Sequence, residues 1–241
     1  GDAVMEFGLR RAQGTSAGLY GAKAAIVGGC IGTSNVLAAK EFDVVALGTH
    51  AHSWVQSFDS ELEAFRAYAK AYPTKTMLLL DTYNTLKSGI KNAITVFKEL
   101  RKDGYEPVGV RLDSGDLEFL SKEVRKELDE NGFENVKITA SNDLDENTIT
   151  SLKNQGAKID VWGVGTKMIT SFDWAALGGV YKLCGVIKDG SMIPKIKISE
   201  DVQKINNPSY KNIYRIYDKS DNKAQADLIV LDDEQIDEEK P

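Results

Sequence analysis

The stretch Val108-Gly-Val-Arg-Leu-Asp-Ser-Gly-Asp116 is a short apolar run that ends in charge. A helical pattern follows at once, with apolar residues spaced over 117–128 and Asn131-Gly132 closing it. Consecutive rather than alternating apolar residues fit a strand buried on both faces of a parallel sheet. Outward from this stretch the same unit recurs. Met77-Leu-Leu-Leu-Asp-Thr-Tyr-Asn84 precedes a helical pattern at 90–100, and Val136-Lys-Ile-Thr-Ala-Ser-Asn-Asp143 precedes a shorter one after Asp145. Val44-Val-Ala-Leu-Gly-Thr-His-Ala-His52 leads to an amphipathic stretch at 61–72, with Asp59 and Ser60 as candidate caps and Pro73 as its stop. Val161-Trp-Gly-Val-Gly-Thr166 and Val180-Tyr-Lys-Leu183 are further strand candidates.

The residues just past these runs are His52, Asp81, Asp113, Asp143 and Thr166, at intervals of roughly 30 residues, the length of one βα unit. The expected class is α/β, closing as an incomplete, irregular (β/α) barrel, since about six units fit where a full barrel has eight. A doubly wound open sheet is the competing closure. After Gly185 the pattern changes to alternation, predicting hairpins around Asp189-Gly190 and Ser220-Asp-Asn222. The expected organisation is a barrel over 1–186, an appended β-rich segment over 187–230 and a solvated acidic tail over 231–241. That tail carries Asp232, Asp233, Glu234, Asp237, Glu238 and Glu239.

Composition narrows the function classes. The net charge of −6 argues against a nucleic-acid partner, and no apolar run approaches the roughly 18 residues of a membrane span. Cys30 and Cys184 are too few for a disulfide framework, so a reducing, cytoplasmic setting is expected. Gly1-Asp-Ala-Val4 has no initiator methionine and runs straight into a motif, so the sequence is expected to begin inside a longer protein.

In parallel α/β folds, reactive groups gather where the strand-end loops converge. Arg111 closes a buried strand, where an unpaired charge is costly. A planar guanidinium aimed into a pocket suits a carboxylate or phosphate ligand. The acids Asp113 and Asp116 suit sugar hydroxyls or a hydrated magnesium ion, although Asp113 or Ser114 could instead cap the helix from Leu117. The two histidines, His50 and His52, lie two apart at a strand end. No cysteine or third histidine is at hand for zinc, so a nucleophilic or phosphate-binding histidine fits better. Gly163-Val-Gly-Thr166 could bare N–H groups to a phosphate, and Ser141-Asn-Asp143 is either a ligand contact or a helix cap. Arg10 and Arg11 sit between glycines that allow one to be aimed at an anion. The glycines of 21–39 read as sites of close backbone packing.

Glu6-Phe-Gly-Leu-Arg-Arg-Ala-Gln-Gly14, Gly29-Cys-Ile-Gly-Thr-Ser-Asn35, Gly48-Thr-His-Ala-His-Ser-Trp54, Arg111-Leu-Asp-Ser-Gly-Asp116 and Gly163-Val-Gly-Thr166 together resemble the nicotinate phosphoribosyltransferase family. Asn207-Pro208 through Tyr214-Arg-Ile-Tyr-Asp218 resembles the region after that family's barrel. The resemblance implies a barrel of the type II phosphoribosyltransferase kind, here without the family's amino-terminal domain. It implies ATP-coupled conversion of nicotinate and phosphoribosyl pyrophosphate to nicotinate mononucleotide and pyrophosphate, with Mg2+, in NAD salvage. His52 matches a histidine phosphorylated by ATP, Arg111 a residue at the pyridine carboxylate, Asp113 a ribose contact and Asp81 an acid near the sugar and metal. Asn142, Asp143, Gly165 and Thr166 match the ribose and 5′-phosphate cradle, and Arg10 and Ser114 join the substrate-binding set. The metal ligands stay unassigned. A homodimer with a site shared between subunits is expected. Three alternatives stand beside this reading: a nicotinamide-using relative, a non-catalytic ligand-binding or oligomerisation module, and a sugar-phosphate isomerase or aldolase working through Lys167.

Overall fold

The computed structural model describes residues 1–200, 202 and 205–237, so Glu238 and Glu239 of the acidic tail lie outside the described residues. The chain divides into two units, Gly1–Ala176 and Leu177–Pro241. The division falls ahead of the 186/187 boundary expected from sequence.

The first unit is built on one curled, half-barrel parallel sheet. Its strands in chain order are β1 (Ala3–Glu6), β2 (Gly32–Thr33), β3 (Met77–Leu79), β4 (Gly109–Leu112), β5 (Lys137–Ser141) and β6 (Val161–Val164), arranged β2-β1-β6-β5-β4-β3. Leu78, Leu79, Val110, Leu112, Ile138, Ala140 and Trp162 are buried, as continuous apolar runs between two covering layers require. The expected strand at 44–47 shrinks to one parallel bridge, Ala46 to Thr33. Its partner β2 is only two residues long and offers no further ladder. In the other direction, Ala3–Glu6, given no element from the sequence, form strand β1 between β2 and β6.

Helices α1 (Thr15–Val27), α2 (Val36–Phe42) and α3 (His52–Gln56) precede α4 (Glu61–Ala71), which Ser60 caps by accepting from the Glu63 N–H at 3.2 Å. Helix α5 (Ile90–Lys102) follows a π turn at Thr85–Gly89, and Gly89 is required there. A Cβ at that position would lie 2.0 Å from the Leu80 carbonyl oxygen. Helix α6 (Leu117–Glu130) takes its cap from Asp116, which accepts from the Phe119 N–H. Asp113 and Ser114 are therefore not caps, which corrects the sequence alternative and leaves both for the site. Helix α7 (Glu146–Asn154) is capped by Asp145, so Ser141, Asn142 and Asp143 are likewise free of that duty. The short α8 (Thr166–Ile169) follows β6.

In the second unit the hairpin of β7 (Gly185–Lys188) and β8 (Ser191–Pro194) turns at Asp189-Gly190, both with positive φ (51° and 78°). That is the geometry the right-handed twist of paired strands selects. Strands β9 (Lys211–Tyr217) and β10 (Ala224–Leu231) form the other expected hairpin. Residues 180–183, expected as a strand, are not one. Among the described residues no strand pairs with them, and Tyr181 is 99% exposed.

Candidate active site

The carboxyl ends of β4, β5 and β6, the turn after β1 and the 48–52 loop enclose a cavity of about 590 Å³. His52, Arg111, Asp113, Arg10, Asn142, Asp143, Gly165 and Thr166 all line it. Asp81 and Ser114 do not. They line an adjoining recess of about 380 Å³ with Asn84 and Lys87.

Asp81 nevertheless belongs to the same network. Its Oδ2 accepts from the Asp113 N–H at 3.0 Å and the Ser114 hydroxyl at 2.5 Å, while its Oδ1 is buried with no hydrogen-bond partner among the described residues. The Ser141 hydroxyl donates to Asp113 Oδ1, leaving Oδ2 toward the cavity. His52 Nε2 lies 3.4 Å from that Oδ2 and 3.9 Å from Asp81 Oδ1, and its Nδ1 lies 3.2 Å from the Thr82 hydroxyl. One imidazole thus stands over two carboxylates, partly open to the cavity.

Arg111 faces them from β4. One Nη1 donates to the Thr49 hydroxyl at 2.7 Å, and its Nε is buried with no partner among the described residues. Burial is the largest influence on its pKa and pushes it down, opposed by Asp113 and Asp81. A half-buried cation with a spare donor is what a carboxylate or phosphate ligand satisfies.

The opposite wall comes from the turn after β1. Glu6, fully buried, accepts from the Gly8 N–H and from the Thr33 hydroxyl, fixing the turn that carries Leu9–Arg11. Arg10 and Arg11 are exposed on that turn and line the cavity. The missing side chains of Gly163 and Gly165 make room for this segment. A Cβ at the former would lie 2.7 Å from the Phe7 ring, and at the latter 3.0 Å from its carbonyl oxygen. Asn142 and Asp143 hold positive φ (149° and 36°), a strained conformation of the kind concentrated at functional sites.

Sequence reasoning missed Phe7, Thr49 and Thr82. Thr49 and Thr82 each adjoin a recognised polar residue, and that adjacency was the available signal. His50 does not join His52; its ring is buried against Phe65 and Tyr68, with centroids at 5.9 and 4.7 Å. Lys167 pairs with Asp145, which raises the lysine's pKa and lowers the acid's. A Schiff-base lysine needs the reverse, a depressed pKa, so the geometry disfavours aldolase chemistry. Among the described residues no group of three His, Cys, Asp or Glu forms a metal cluster.

Three comparisons bear on this cavity. The sequence model described as the nicotinate phosphoribosyltransferase (NAPRTase) family matches residues 3–235. A Bacillus subtilis protein named nicotinate phosphoribosyltransferase is 51% identical over 241 residues, which is 100% of this chain and 49% of that protein. A Homo sapiens protein of the same name is 33% identical over 286 residues, covering 97% of this chain and 52% of its own length. The crystal structure of human nicotinic acid phosphoribosyltransferase matches with a TM-score of 0.76 at 29% identity, covering 98% of this chain and 53% of that one. The chain spans about half the length of the curated relatives it matches.

Proposed function

This chain belongs to the nicotinate phosphoribosyltransferase family, and from that premise we propose that its cavity forms nicotinate mononucleotide and pyrophosphate from nicotinate and phosphoribosyl pyrophosphate, coupled to ATP hydrolysis. One observation carries the reading. A half-buried guanidinium with an unpaired Nε, a histidine over two carboxylates and a strained polar strand end converge on one cavity.

In this reading Arg111 holds the nicotinate carboxylate, so that the ring nitrogen faces the anomeric carbon of the donor. The C–O bond to pyrophosphate breaks as the C–N bond forms, and positive charge develops on the ribose. Asp113 and Asp81, joined through the Asp113 N–H, stabilise that charge. Asn142, Asp143, Gly165 and Thr166 take the ribose and its 5′-phosphate, helped by Arg10, while Ser114 orients Asp81. His52 accepts the γ-phosphoryl group of ATP with departure of ADP, and the ring's positive charge is balanced by the carboxylates at 3.4 and 3.9 Å. Water later hydrolyses the phosphohistidine, releasing phosphate.

Mg2+ is bound by one or two carboxylates completed by substrate phosphates and water. The unpartnered Oδ1 of Asp81 and the cavity-facing Oδ2 of Asp113 fit that donor set. When bound, the ion supplies neutralisation of the departing pyrophosphate. A homodimer with a shared site and a cytoplasmic setting belong to the same proposal, supported by the family. No helix among the described residues is long and apolar enough to cross a membrane.

The test is mass spectrometry of the products formed by this chain from nicotinate, phosphoribosyl pyrophosphate, Mg2+ and ATP, with nicotinamide in parallel. Nicotinate mononucleotide appearing faster with ATP is the expected result. A nicotinamide product alone, or no product from a folded chain, overturns the assignment for this chain.

A further inference from the structure

The six-stranded sheet has two free edges, β2 and β3, and one short segment reaches both. On the β2 side the contact is ordinary backbone pairing. The Thr33 N–H donates to Val45 O and the Leu47 N–H to Thr33 O, at 3.0 and 2.9 Å. On the β3 side no backbone partner is present among the described residues. The Leu80 N–H donates to Arg111 O on β4, so the alternate N–H, that of Leu79, points off the free edge. His50 Nε2 accepts it at 3.2 Å.

We infer that His50 is a positioning residue whose imidazole substitutes for the missing strand carbonyl at the β3 edge, and so fixes the turn that sets His52 against Asp113. An acceptor at Nε2 requires the neutral ring with its proton on Nδ1. Its surroundings favour the neutral ring, although Nδ1 is buried with no hydrogen-bond partner among the described residues. Burial pushes its pKa down to about 4, opposed by a backbone hydrogen bond at Ala51 and reinforced by the charges of Arg111 and His52. Phe65 and Tyr68 pack the ring in place. The turn is held from β4 as well, since Thr49 accepts from Arg111 and donates to the His50 carbonyl. His52 opens α3 two residues later, so the imidazole at position 50 and the guanidinium at 111 together determine where the second imidazole stands. The catalytic consequence rests on the role proposed for His52; the structural assignment does not.

The experiment is histidine-labelled 15N NMR with amide exchange on this chain, comparing wild type, His50→Gln and His50→Leu. Glutamine offers an oxygen acceptor of similar reach, whereas leucine fills the volume with none. Expected are a neutral Nδ1–H tautomer for His50 and a coupling between its Nε2 and the Leu79 N–H. The Leu79 amide should exchange about tenfold faster in the leucine variant, the scale of one lost hydrogen bond. His52 ring resonances should shift in that variant and return in His50→Gln. Leu79 protection unchanged in His50→Leu, or a His52 signal that stays put, overturns the inference. If the leucine variant does not fold, the wild-type tautomer and coupling decide alone. Because these readouts need no turnover, an inactive chain that passes them defeats the proposed reaction and leaves His50 in place.

Discussion

The two sides of the cavity are made differently. From β3 to β6, strands buried on both faces alternate with packed helices, and the strand ends present Asp81, Asp113 and Asp143. From β1 to residue 52 the strands are four and two residues long, and the loops present Arg10, Arg11 and His52. The acidic side is positioned by apolar burial. The basic side is positioned by polar contacts: Glu6 on Gly8 and Thr33, Thr33 on the Asn35 N–H, His50 on Leu79. A donor with anionic phosphates and a ribose that becomes cationic matches that division. Arg111 is the exception, a cation supplied from the acidic side.

That exception gives the largest expected effect. Arg111→Met should lower kcat/KM for nicotinate about a thousandfold, roughly the 4 kcal/mol lost when a buried charge loses its partner. Arg111→Lys should restore only part, because an ammonium cannot make the bidentate contact. Thermal stability should hold or rise, since a buried guanidinium with an unpaired Nε is itself costly. A methionine variant that keeps its turnover would remove the arginine from the substrate.

Acid should separate the two sides next. The folded protein holds His50 near pKa 4 against about 6.5 when unfolded, so the unfolded chain binds the proton first. The stability this provides is complete above pH 6.5 and declines as pH falls toward 4, by about 3 kcal/mol. Denaturant titrations at pH 7 and pH 4 should show that loss in the wild type and a smaller one in His50→Gln. Equal losses in both proteins would place the acid sensitivity among the carboxylates.

The same contrast explains what was legible in the sequence. Strands β3 to β6 and helices α4 to α7 announce themselves because burial on both faces writes continuous apolar runs, and α4, α6 and α7 carry side-chain caps. The site residues at those strand ends follow from position alone. Strand β2 has two residues and no hydrophobic signature, and β1 is recognisable only through its partners β2 and β6, which are distant in sequence. Residues 180–183 fail the other way, apolar enough for a strand but without a neighbour to pair with. The roles of Thr49, Thr82 and His50 depend on contacts between residues distant in sequence, which no periodicity encodes.

Gly89→Ala probes the rigidity of the acidic side. The π turn lies against the end of β3, and a methyl group 2.0 Å from the Leu80 carbonyl must displace one or the other. A destabilisation of about 2 kcal/mol is expected, on the scale of overpacking a close contact. The displacement should disturb Asp81, the residue after Leu80, and so slow turnover as well. Unchanged stability in urea would mean that this side yields more readily than its burial suggests.

The smallest effect should be a gain. Asn142 holds φ at 149° at the carboxyl end of β5, where a side chain is strained and glycine is not. Relief of that strain is partly offset by the greater freedom glycine has when unfolded, so Asn142→Gly should stabilise the protein by about 1 kcal/mol. Turnover then separates two uses of the residue. A backbone that turns its N–H groups toward the ribose phosphate keeps its geometry in the glycine variant, and KM for phosphoribosyl pyrophosphate stays near the wild-type value. A side-chain amide that contacts the donor is lost, and KM rises. Higher stability with unchanged KM would show the acidic side to be strained for its backbone alone. Higher stability with a raised KM would show that asparagine is kept there for its amide, against the conformational preference of the chain.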